Sequence, residues 1–452
     1  MVWNRKQLRR ALSASLCASL VWSAASSGTA IGQQWSEPCD QAVPCDDQAC
    51  DADRCDALLA ASGAGAFEDK ALGDLGGLRT LMAEHGITMN LSATQFFQGM
   101  AAGGRDYDWP YGGKLDYLVD IDGEKLGLQQ GFFVNMHAES RIGESVNTID
   151  GLLLPANVAM NFPDAEDDVT SITGLKLTQA LSENFALYAG KLNTLDDFGL
   201  RYIGGPGLGG FMNSSLVFNP IVARVVPYSA AGGGFAILQD LQPLFTLTVL
   251  DPEERATDGL EDLFERGVTI VPDLTLRTEM AGLPGIYNFG GAYSNSDYTS
   301  LERSAWLNYP VTLASPTENE SWSLYSNFYQ SLMVDRCNKN RGWGVFGLFG
   351  ISDGNPNPIK YVANIGIGGT NLSNARRNDR FGAGFFFVGL SDEVKTLTAN
   401  VLAQENEYGT EYFYNYEINP WCRLTADIQV VNPSTRSFDA AVIPGVRLQT
   451  IF

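Results

Sequence analysis

The chain has 452 residues, of which 30 are basic and 52 acidic, and its formal net charge is -22. A surface this acidic repels phosphate backbones, so nucleic-acid binding is excluded. Mean hydropathy is -0.07, and no run of about 20 apolar residues follows the N-terminal region, which excludes membrane-spanning helices there. Membrane-spanning strands stay open, because alternating polarity averages to near-neutral hydropathy.

The first 30 residues have the pattern of a secretory signal peptide. A basic start with Arg5, Lys6, Arg9 and Arg10 precedes an apolar stretch and then small residues. This order is typical of an exported precursor and is too short for a membrane anchor. We therefore predict a signal peptide over residues 1–30.

Residues 31–56 carry a short repeat in which each cysteine is followed by aspartate. The four cysteines are Cys39, Cys45, Cys50 and Cys55. In an exported protein they indicate disulfides or a flexible tether, and their pairing stays open. A metal site is the weaker alternative, because the spacing has no C-x-x-C pair and no histidine. We assign no metal and no cofactor.

Residues 57–86 differ in composition from the cysteine-aspartate repeat and end in a predicted helix. Leu78, Leu81 and Met82 recur at helical spacing, and Gly86 supplies a stop. The pattern predicts a short amphipathic helix just before the first strand. Whether this helix plugs the mouth of the following domain is left open. His85 beside the stop is interpreted as a charge partner of the helix C-terminus.

From Ile87 to Phe452 the chain alternates between apolar and polar residues and never keeps a helical period. The last two runs show this most clearly, because charged and apolar residues fall on opposite faces. In one run Leu424, Ala426, Ile428 and Val430 oppose Arg423, Thr425, Asp427 and Gln429; in the other, Val446, Leu448, Thr450 and Phe452 oppose Arg447 and Gln449.

Two environments could take such apolar faces: the core of a soluble sandwich or lipid around a barrel with a wet interior. A last strand that ends on phenylalanine favours the barrel, in which that strand is paired on both edges. Strands and turns recur about every 23 residues, which gives about 16 strands. The predicted fold is all-β, a transmembrane antiparallel β-barrel over residues 87–452, preceded by the short helix.

Counting strands back from Phe452, taken as the periplasmic end, assigns a side to each connection. Segments 336–341, 372–380 and 419–421 are predicted to be periplasmic, and 251–266 and 353–360 extracellular. Cys337 and Cys422 then fall in periplasmic turns about four strands apart, which is far for a bridge. Pairing with the N-terminal cysteines, or no pairing, stays equally open.

Several segments, in order over nearly all of Gly76 to Phe452, resemble the OprB-type carbohydrate-selective porin family of Gram-negative outer membranes. They are Gly76 to Gly86; Gly190-Lys191-Leu192-Asn193 with Asp196-Asp197-Phe198; Phe211-Met212-Asn213-Ser214; Gly282 to Gly291; Gly369-Thr370 through Arg380-Phe381-Gly382; and Tyr414 to Trp421 running into Gln429 to Pro433. The cysteine-aspartate repeat lies outside this pattern.

The resemblance implies a 16-stranded outer-membrane channel that passes monosaccharides such as glucose and similar neutral solutes by diffusion. Its expected partners are small neutral carbohydrates and outer-membrane lipid, and it is expected to be a homotrimer or a monomer. A non-selective general diffusion porin is the alternative. An enzyme is not predicted, because only two histidines exist and His137 has no motif around it.

Sugar selection needs a wet constriction in which charged and amide groups replace the lost hydration of hydroxyls. The C-terminal alternation, carried back through earlier strands, puts such groups on the inner face, although bulges shift it. The alternative is that these residues satisfy one another and stiffen the wall. The predicted pore-lining residues are Glu139, Arg141, Lys191, Asn193, Arg277, Glu279, Glu417, Arg423, Asp427 and Arg447. Lys114, Asp116 and His137 are placed on the same face.

Overall fold

The structure is a computed structural model that describes residues 67, 69–164, 167–196, 207–306, 315–335, 338, 341–371 and 376–452. The predicted signal peptide, the cysteine-aspartate segment and Cys337 lie outside these residues. Cys422 is half-buried and has no disulfide partner within the described part of the chain.

Sixteen antiparallel strands close into one barrel, as the sequence predicts. Neighbours in sequence pair throughout, and β9 pairs directly with β12 because β10 and β11 form a separate two-stranded sheet. The strands are β1 (Ile87–Gln98), β2 (Tyr111–Asp122), β3 (Phe132–Gly143), β4 (Val169–Ser182), β5 (Phe185–Asn193), β6 (Ser229–Gln239), β7 (Gln242–Leu250), β8 (Thr269–Met280), β9 (Leu283–Ser294), β10 (Tyr298–Thr299), β11 (Thr317–Glu318), β12 (Ser321–Val334), β13 (Gly342–Ser352), β14 (Ile359–Thr370), β15 (Arg380–Leu390), β16 (Glu407–Asn419), β17 (Cys422–Asn432) and β18 (Ala441–Ile451).

The barrel closes between its first and last strands. β18 pairs with β1 in a register that sets Ser92 opposite Ile451. The backbone N–H of Phe452 donates to the carbonyl oxygen of Leu91 at 2.9 Å. The last strand is therefore paired on both edges, and the closed sheet has no free edge.

Burial along the strands alternates as predicted, with polar side chains buried inside the barrel and apolar side chains exposed outside it. On β17, Leu424, Ile428 and Val430 are about 40% exposed, whereas Asp427 and Gln429 are at most 6% exposed. A soluble sandwich would bury its apolar face instead. Apolar side chains outside and polar ones inside are the arrangement of a barrel in lipid.

The two ends of the barrel differ in the length of their connections. One end has tight turns such as Asp240–Leu241 and Ala281–Gly282, in which both residues have φ between 54° and 76°, as a type I′ turn requires. Of the segments predicted to be periplasmic, residues 338, 341, 376–380 and 419–421 lie at this end, and the rest lie outside the described residues. The other end carries longer connections, in which the structure describes residues 144–164, 167–168, 194–196, 207–228 and 251–268. Membrane barrels keep short turns on the periplasmic side.

The predicted helix forms at Leu78–Glu84 and ends before Gly86, whose φ is 82°. Its apolar residues are not its buried face: Leu78 and Leu81 are 44% and 53% exposed. The buried residue is Arg79, whose guanidinium lies 5.6 Å from the ring centre of Phe67. The predicted helix is therefore present, with Arg79 held on Phe67 by a cation–π contact.

The other helical turns are short. They are Leu75–Gly77, Val146–Thr148, Val158–Met160, Ser214–Val217, Arg303–Trp306 and Asp392–Thr398. Within the described ranges, no helix has both the length and the apolar character needed to cross a bilayer.

Candidate functional site

A segment after β5, residues 207–228, folds into the barrel and crosses its interior; we call it the crossing segment. Phe211, Leu216 and Ile221 in this segment are fully buried. They form one cluster with inner-face residues of five consecutive strands on the far wall, Phe346, Val362, Phe386, Phe413 and Val431. Because β5 and β14 stand on opposite sides of the closed strand order, the segment divides the interior.

The far wall is shaped to receive this segment. The ring of Phe211 packs edge-on against Phe413, with ring centres 4.9 Å apart. On β15, a Cβ added to Gly384 would lie 2.8 Å from a methyl group of Leu216. The glycine therefore makes room for the segment, since carbon atoms at that distance overlap.

Glu411 on β16 holds the start of the segment. Its two carboxylate oxygens accept the backbone N–H groups of Met212 at 2.5 Å and Asn213 at 2.9 Å. The side-chain amide of Asn213 donates to Gln429 Oε1 at 3.0 Å. Two buried donors that would otherwise lack partners are thus satisfied by one carboxylate.

Arg447 on β18 holds the segment from the neighbouring wall. Its Nη1 donates to the carbonyl oxygen of Gly207 at 2.6 Å, and its Nη2 donates to that of Gly210 at 2.9 Å. Arg447 is 0% exposed, and nearby Asp427 is 6% exposed. Both lie on the inner face as predicted, but they are covered by the segment. Arg447 anchors the segment, whereas Asp427 accepts a hydrogen bond from Gln429 at 3.3 Å, and neither faces open space.

A second inward loop between β3 and β4, described over residues 144–164, packs beside the crossing segment. Asp150 accepts the backbone N–H groups of Leu152 at 3.0 Å and Ala156 at 3.3 Å. Burial raises the pKa of Asp150 to about 7. Arg141, a predicted lining residue, donates from Nη1 to the carbonyl oxygen of Met160 at 3.1 Å. Arg141 therefore also holds a loop.

A group of charged side chains lies on the inner faces of β2 and β3. Lys114 forms an ion pair with Glu139, and its Nζ lies 3.9 Å from Asp116 Oδ1. His137 Nε2 lies 3.3 Å from Asp116 Oδ1, and His137 Nδ1 lies 2.8 Å from Asp196 Oδ1. An imidazolium that donates from both nitrogens satisfies both carboxylates.

A β-bulge in β4 completes this charged cluster. The register of β3 with β4 shifts after His137, and the bulged Thr173 donates its hydroxyl to Glu139. Asn193 Nδ2 donates to Glu139 Oε2 at 3.1 Å, and the Tyr228 hydroxyl donates to the same carboxylate. Glu139 and Asn193, both predicted to line the pore, are 1% and 5% exposed. Here they belong to a closed network.

Asp116, His137 and Glu139 are also the group whose spacing could suit a metal ion, because their ligand atoms all lie within 4.8 Å of one another. The ammonium group of Lys114 lies within ion-pair distance of both carboxylates. It already supplies the positive charge that the carboxylates need. We therefore interpret the cluster as a structural ion-pair network.

Away from this cluster, the inner faces of β2 to β9 carry polar side chains that stay half-exposed. Asp120 accepts a hydrogen bond from Asn135 Nδ2 at 2.6 Å, and the Tyr188 hydroxyl lies 2.6 Å from Thr248 Oγ1. The half-exposed polar residues of this face are Asp120, Asn135, Lys176, Thr178, Tyr188, Thr246, Thr248, Asp273, Thr275 and Asn288. Hydroxyl, amide and carboxylate groups of this kind can replace the hydration of a passing polar solute.

The remaining predicted residues lie towards the ends of the barrel. Arg277 and Glu279 are exposed near the short turns, and Arg277 donates to the carbonyl oxygen of Pro243 at 2.7 Å. Arg423 and Glu417 form an ion pair at 2.8 Å, also near the short turns. Their side chains are only 23% and 15% exposed.

Lys191 lies near the other end of the barrel. Its Nζ donates to carbonyl oxygens of Ala256 and Asp258 in the loop after β7. The structure therefore distributes the ten predicted residues over several separate places rather than bringing them together in one constriction.

Sequence reasoning missed the crossing segment and its main anchor, Glu411. One signal was available: β15 reads apolar on both faces, from Phe381 to Val388. A strand with lipid on one side and water on the other should alternate. Continuous apolar sequence therefore indicates that protein covers the inner face.

A model of the carbohydrate-selective porin, OprB family matches residues 107–452. The chain belongs to this family. The match spans all the strands of the barrel except β1 and includes most of the inward loops and the half-exposed face. Membership in a porin family assigns the chain to channels of the outer membrane rather than to enzymes. Among curated proteins, none matches this chain.

Two solved structures of OprB from Pseudomonas putida share the fold. The high-pH structure aligns with a TM-score of 0.74 at 18% identity, over 86% of this chain and 99% of that one. The low-pH form aligns with a TM-score of 0.54 at 16% identity, over 86% of this chain and 100% of that one. At these identities the likeness supports the 16-stranded barrel and not the role of any residue.

Proposed function

We propose that the protein lets small neutral sugars the size of glucose diffuse passively across the outer membrane. The observation that carries the proposal is the contrast inside the barrel. The crossing segment covers one wall, and the wall that remains carries half-exposed hydroxyl, amide and carboxylate groups. Such a surface exchanges hydrogen bonds with sugar hydroxyls, and its contact with water keeps binding weak enough for release.

Among the predicted lining residues, Arg277, Glu279, Glu417 and Arg423 are the ones proposed to meet solute. They are the members of the set that lie at the short-turn mouth, and Arg277 and Glu279 are exposed there. Opposite charges at the mouth orient polar solutes without trapping ions of one sign. A signal peptide over residues 1–30 remains part of the proposal, since it supplies the export that an outer-membrane location requires.

The test is single-channel conductance of the purified protein in a planar bilayer, titrated with glucose and then with larger sugars. We expect saturable block at roughly millimolar glucose, which corresponds to about -4 kcal/mol of binding. Arg277→Ala should weaken the block. Arg266→Ala removes the same charge from a side chain that is 74% exposed on a long loop and should leave the block unchanged.

The competing function is a general diffusion pore. It predicts an open conductance that glucose does not reduce and a flux that depends on solute size alone. That result in the wild-type protein would overturn the proposed sugar preference and leave the barrel as a channel.

A further inference from the structure

The route of solute through the barrel follows from which inner surfaces are covered. On β12 to β17 the inner side chains are buried against the crossing segment; Tyr329, Phe346 and Phe386 are at most 1% exposed. A solute cannot enter a surface packed at this density. The route must therefore run on the other side of the segment.

On that other side the wall is flat and polar over β6 and β7. Register places Gly234 of β6 between Tyr188 and Thr248, so β6 adds almost no side-chain volume there. Thr246 and Thr248 on β7 stay half-exposed. Small residues beside hydroxyl groups leave space for a hydrated solute, and the space borders β8.

Asp273 on β8 is the carboxylate that faces this space. It stands directly opposite Thr246 in the pairing of β7 with β8. The Tyr325 hydroxyl donates to its Oδ2 at 2.8 Å, and Asn288 and Thr275 donate to its Oδ1. Three donors fix the carboxylate in place, and the residue remains half-exposed. A fixed charge on a channel wall selects among solutes by their charge.

Charged groups of both signs lie along this route. Besides Asp273, the carboxylates are Asp120 and Asp196, whose side chain is 37% exposed and lies 2.8 Å from His137 Nδ1. Lys176 is half-exposed on the same face, and Arg277 is exposed nearer the short turns. The fixed position of Asp273, and not a net charge of the wall, therefore distinguishes it along the route.

We propose that solute passes along β4 to β9 and that Asp273 makes the channel prefer neutral and cationic sugars over sugar acids. Asp273 is a specificity-determining residue in this view, because its charge repels a carboxylate while its oxygen atoms accept hydrogen bonds from hydroxyls. The inference rests on the proposed function, since it concerns which sugars the proposed sugar channel admits.

The experiment compares wild-type protein with Asp273→Asn in planar bilayers and in liposomes. Reversal potentials in a potassium chloride gradient report ion preference, and liposome swelling reports the flux of glucose and glucuronate. We expect cation preference in the wild type. Asp273→Asn should raise the ratio of glucuronate to glucose flux about fivefold, the factor set by one unit charge about 4 Å away in water.

Two further variants separate charge from folding. Thr246→Lys places a cation opposite Asp273 without removing its hydrogen bonds, and it should shift the reversal potential in the same direction as Asp273→Asn. Asp258→Asn removes the same charge from an exposed loop residue and should change neither measurement. Unaltered reversal potential and flux ratio in both Asp273→Asn and Thr246→Lys would overturn the proposal.

The ion measurement also distinguishes this proposal from the proposed function. If glucose does not block the wild-type channel but Asp273→Asn still shifts the reversal potential, the route stands and the sugar preference fails. If glucose blocks the wild type and the reversal potential is insensitive to both variants, the sugar channel stands and the assigned route fails.

Discussion

In both halves of the barrel wall, side chains alternate between the inner and the outer face. The inner face is covered by protein in one half and stays open in the other. On β13 to β16, Phe346, Phe386 and Phe413 point inward and are at most 5% exposed, because the crossing segment packs on them. On β7 and β8, Thr246 and Asp273 point inward and stay half-exposed. One inserted segment thus converts half of a channel wall into a protein core and confines the open space to the other half.

The covered half combines two kinds of attachment. Each fully buried phenylalanine contributes about 1.5–3 kcal/mol through the apolar surface it removes from water. The polar anchors Glu411 and Arg447 are different, because each buried group is stable only while its hydrogen-bond partners remain. Removing an anchor should therefore disturb the covered half more than any change at the exposed mouth disturbs the open one.

The largest effect is expected from Arg447→Ala. The carbonyl oxygens of Gly207 and Gly210 lose their donors, and the buried carboxylates nearby lose a cation. The free energy of unfolding should fall by about 3–5 kcal/mol, measured by urea unfolding in detergent. Single-channel conductance should rise because the crossing segment loosens.

Arg447→Lys is the matched variant. It keeps the charge but has no planar fork to reach both carbonyls, so it should fall between wild type and Arg447→Ala in both measurements. Wild-type stability and conductance in Arg447→Ala would mean that the crossing segment does not depend on this anchor, and the division of the barrel would lose its support.

The alternation of the sequence was enough to predict the barrel, its approximate strand number and its closure. It was also enough to put Asp427 and Arg447 on the inner face, because a strand has only two faces and the apolar one meets lipid. These features depend on residues close together in sequence and on their contact with lipid or water, so they can be predicted from local patterns.

What covers the inner face could not be predicted in the same way. Glu411 accepts a hydrogen bond from the backbone N–H of Met212, which is 199 positions away in the sequence. No local sequence pattern indicates that contact. The bulge at Thr173 likewise changes which residues of β4 point inward, and no feature of the local sequence predicts it. Inner-face residues on β16 to β18 thus became anchors, whereas the half-exposed route lies on β4 to β9, which the crossing segment leaves uncovered.

A second prediction tests the loop that packs beside the crossing segment through its pH dependence. Burial raises the pKa of Asp150 from 3.8 to about 7. Between these values the folded chain holds a proton that the unfolded chain has released. The free energy of unfolding should therefore fall as the pH rises from about 4 to about 7, by at most about 1.4 kcal/mol per pH unit, and then level off.

Hydrogen exchange of the Leu152 and Ala156 amides, which donate to Asp150, gives the local measurement. Asp150→Asn should remove the pH-dependent part of their protection. Asp392→Asn, at a side chain that is 98% exposed, should retain it. Equal pH profiles in wild type and Asp150→Asn would show that another group controls this loop.

The smallest effect is expected at the mouth, from Arg423→Ala. The ion pair with Glu417 spans 2.8 Å and remains in contact with solvent, so its loss should cost about 0–1 kcal/mol. Because the crossing segment does not rest on this pair, conductance should stay near the wild-type value while the concentration of glucose that gives half-maximal block rises.

Glu417→Gln removes the opposite charge and should leave stability equally unaffected. A stability loss as large as that of Arg447→Ala would place Arg423 among the anchors, and the contrast between a covered, anchored half and a mouth open to solute would have to be redrawn.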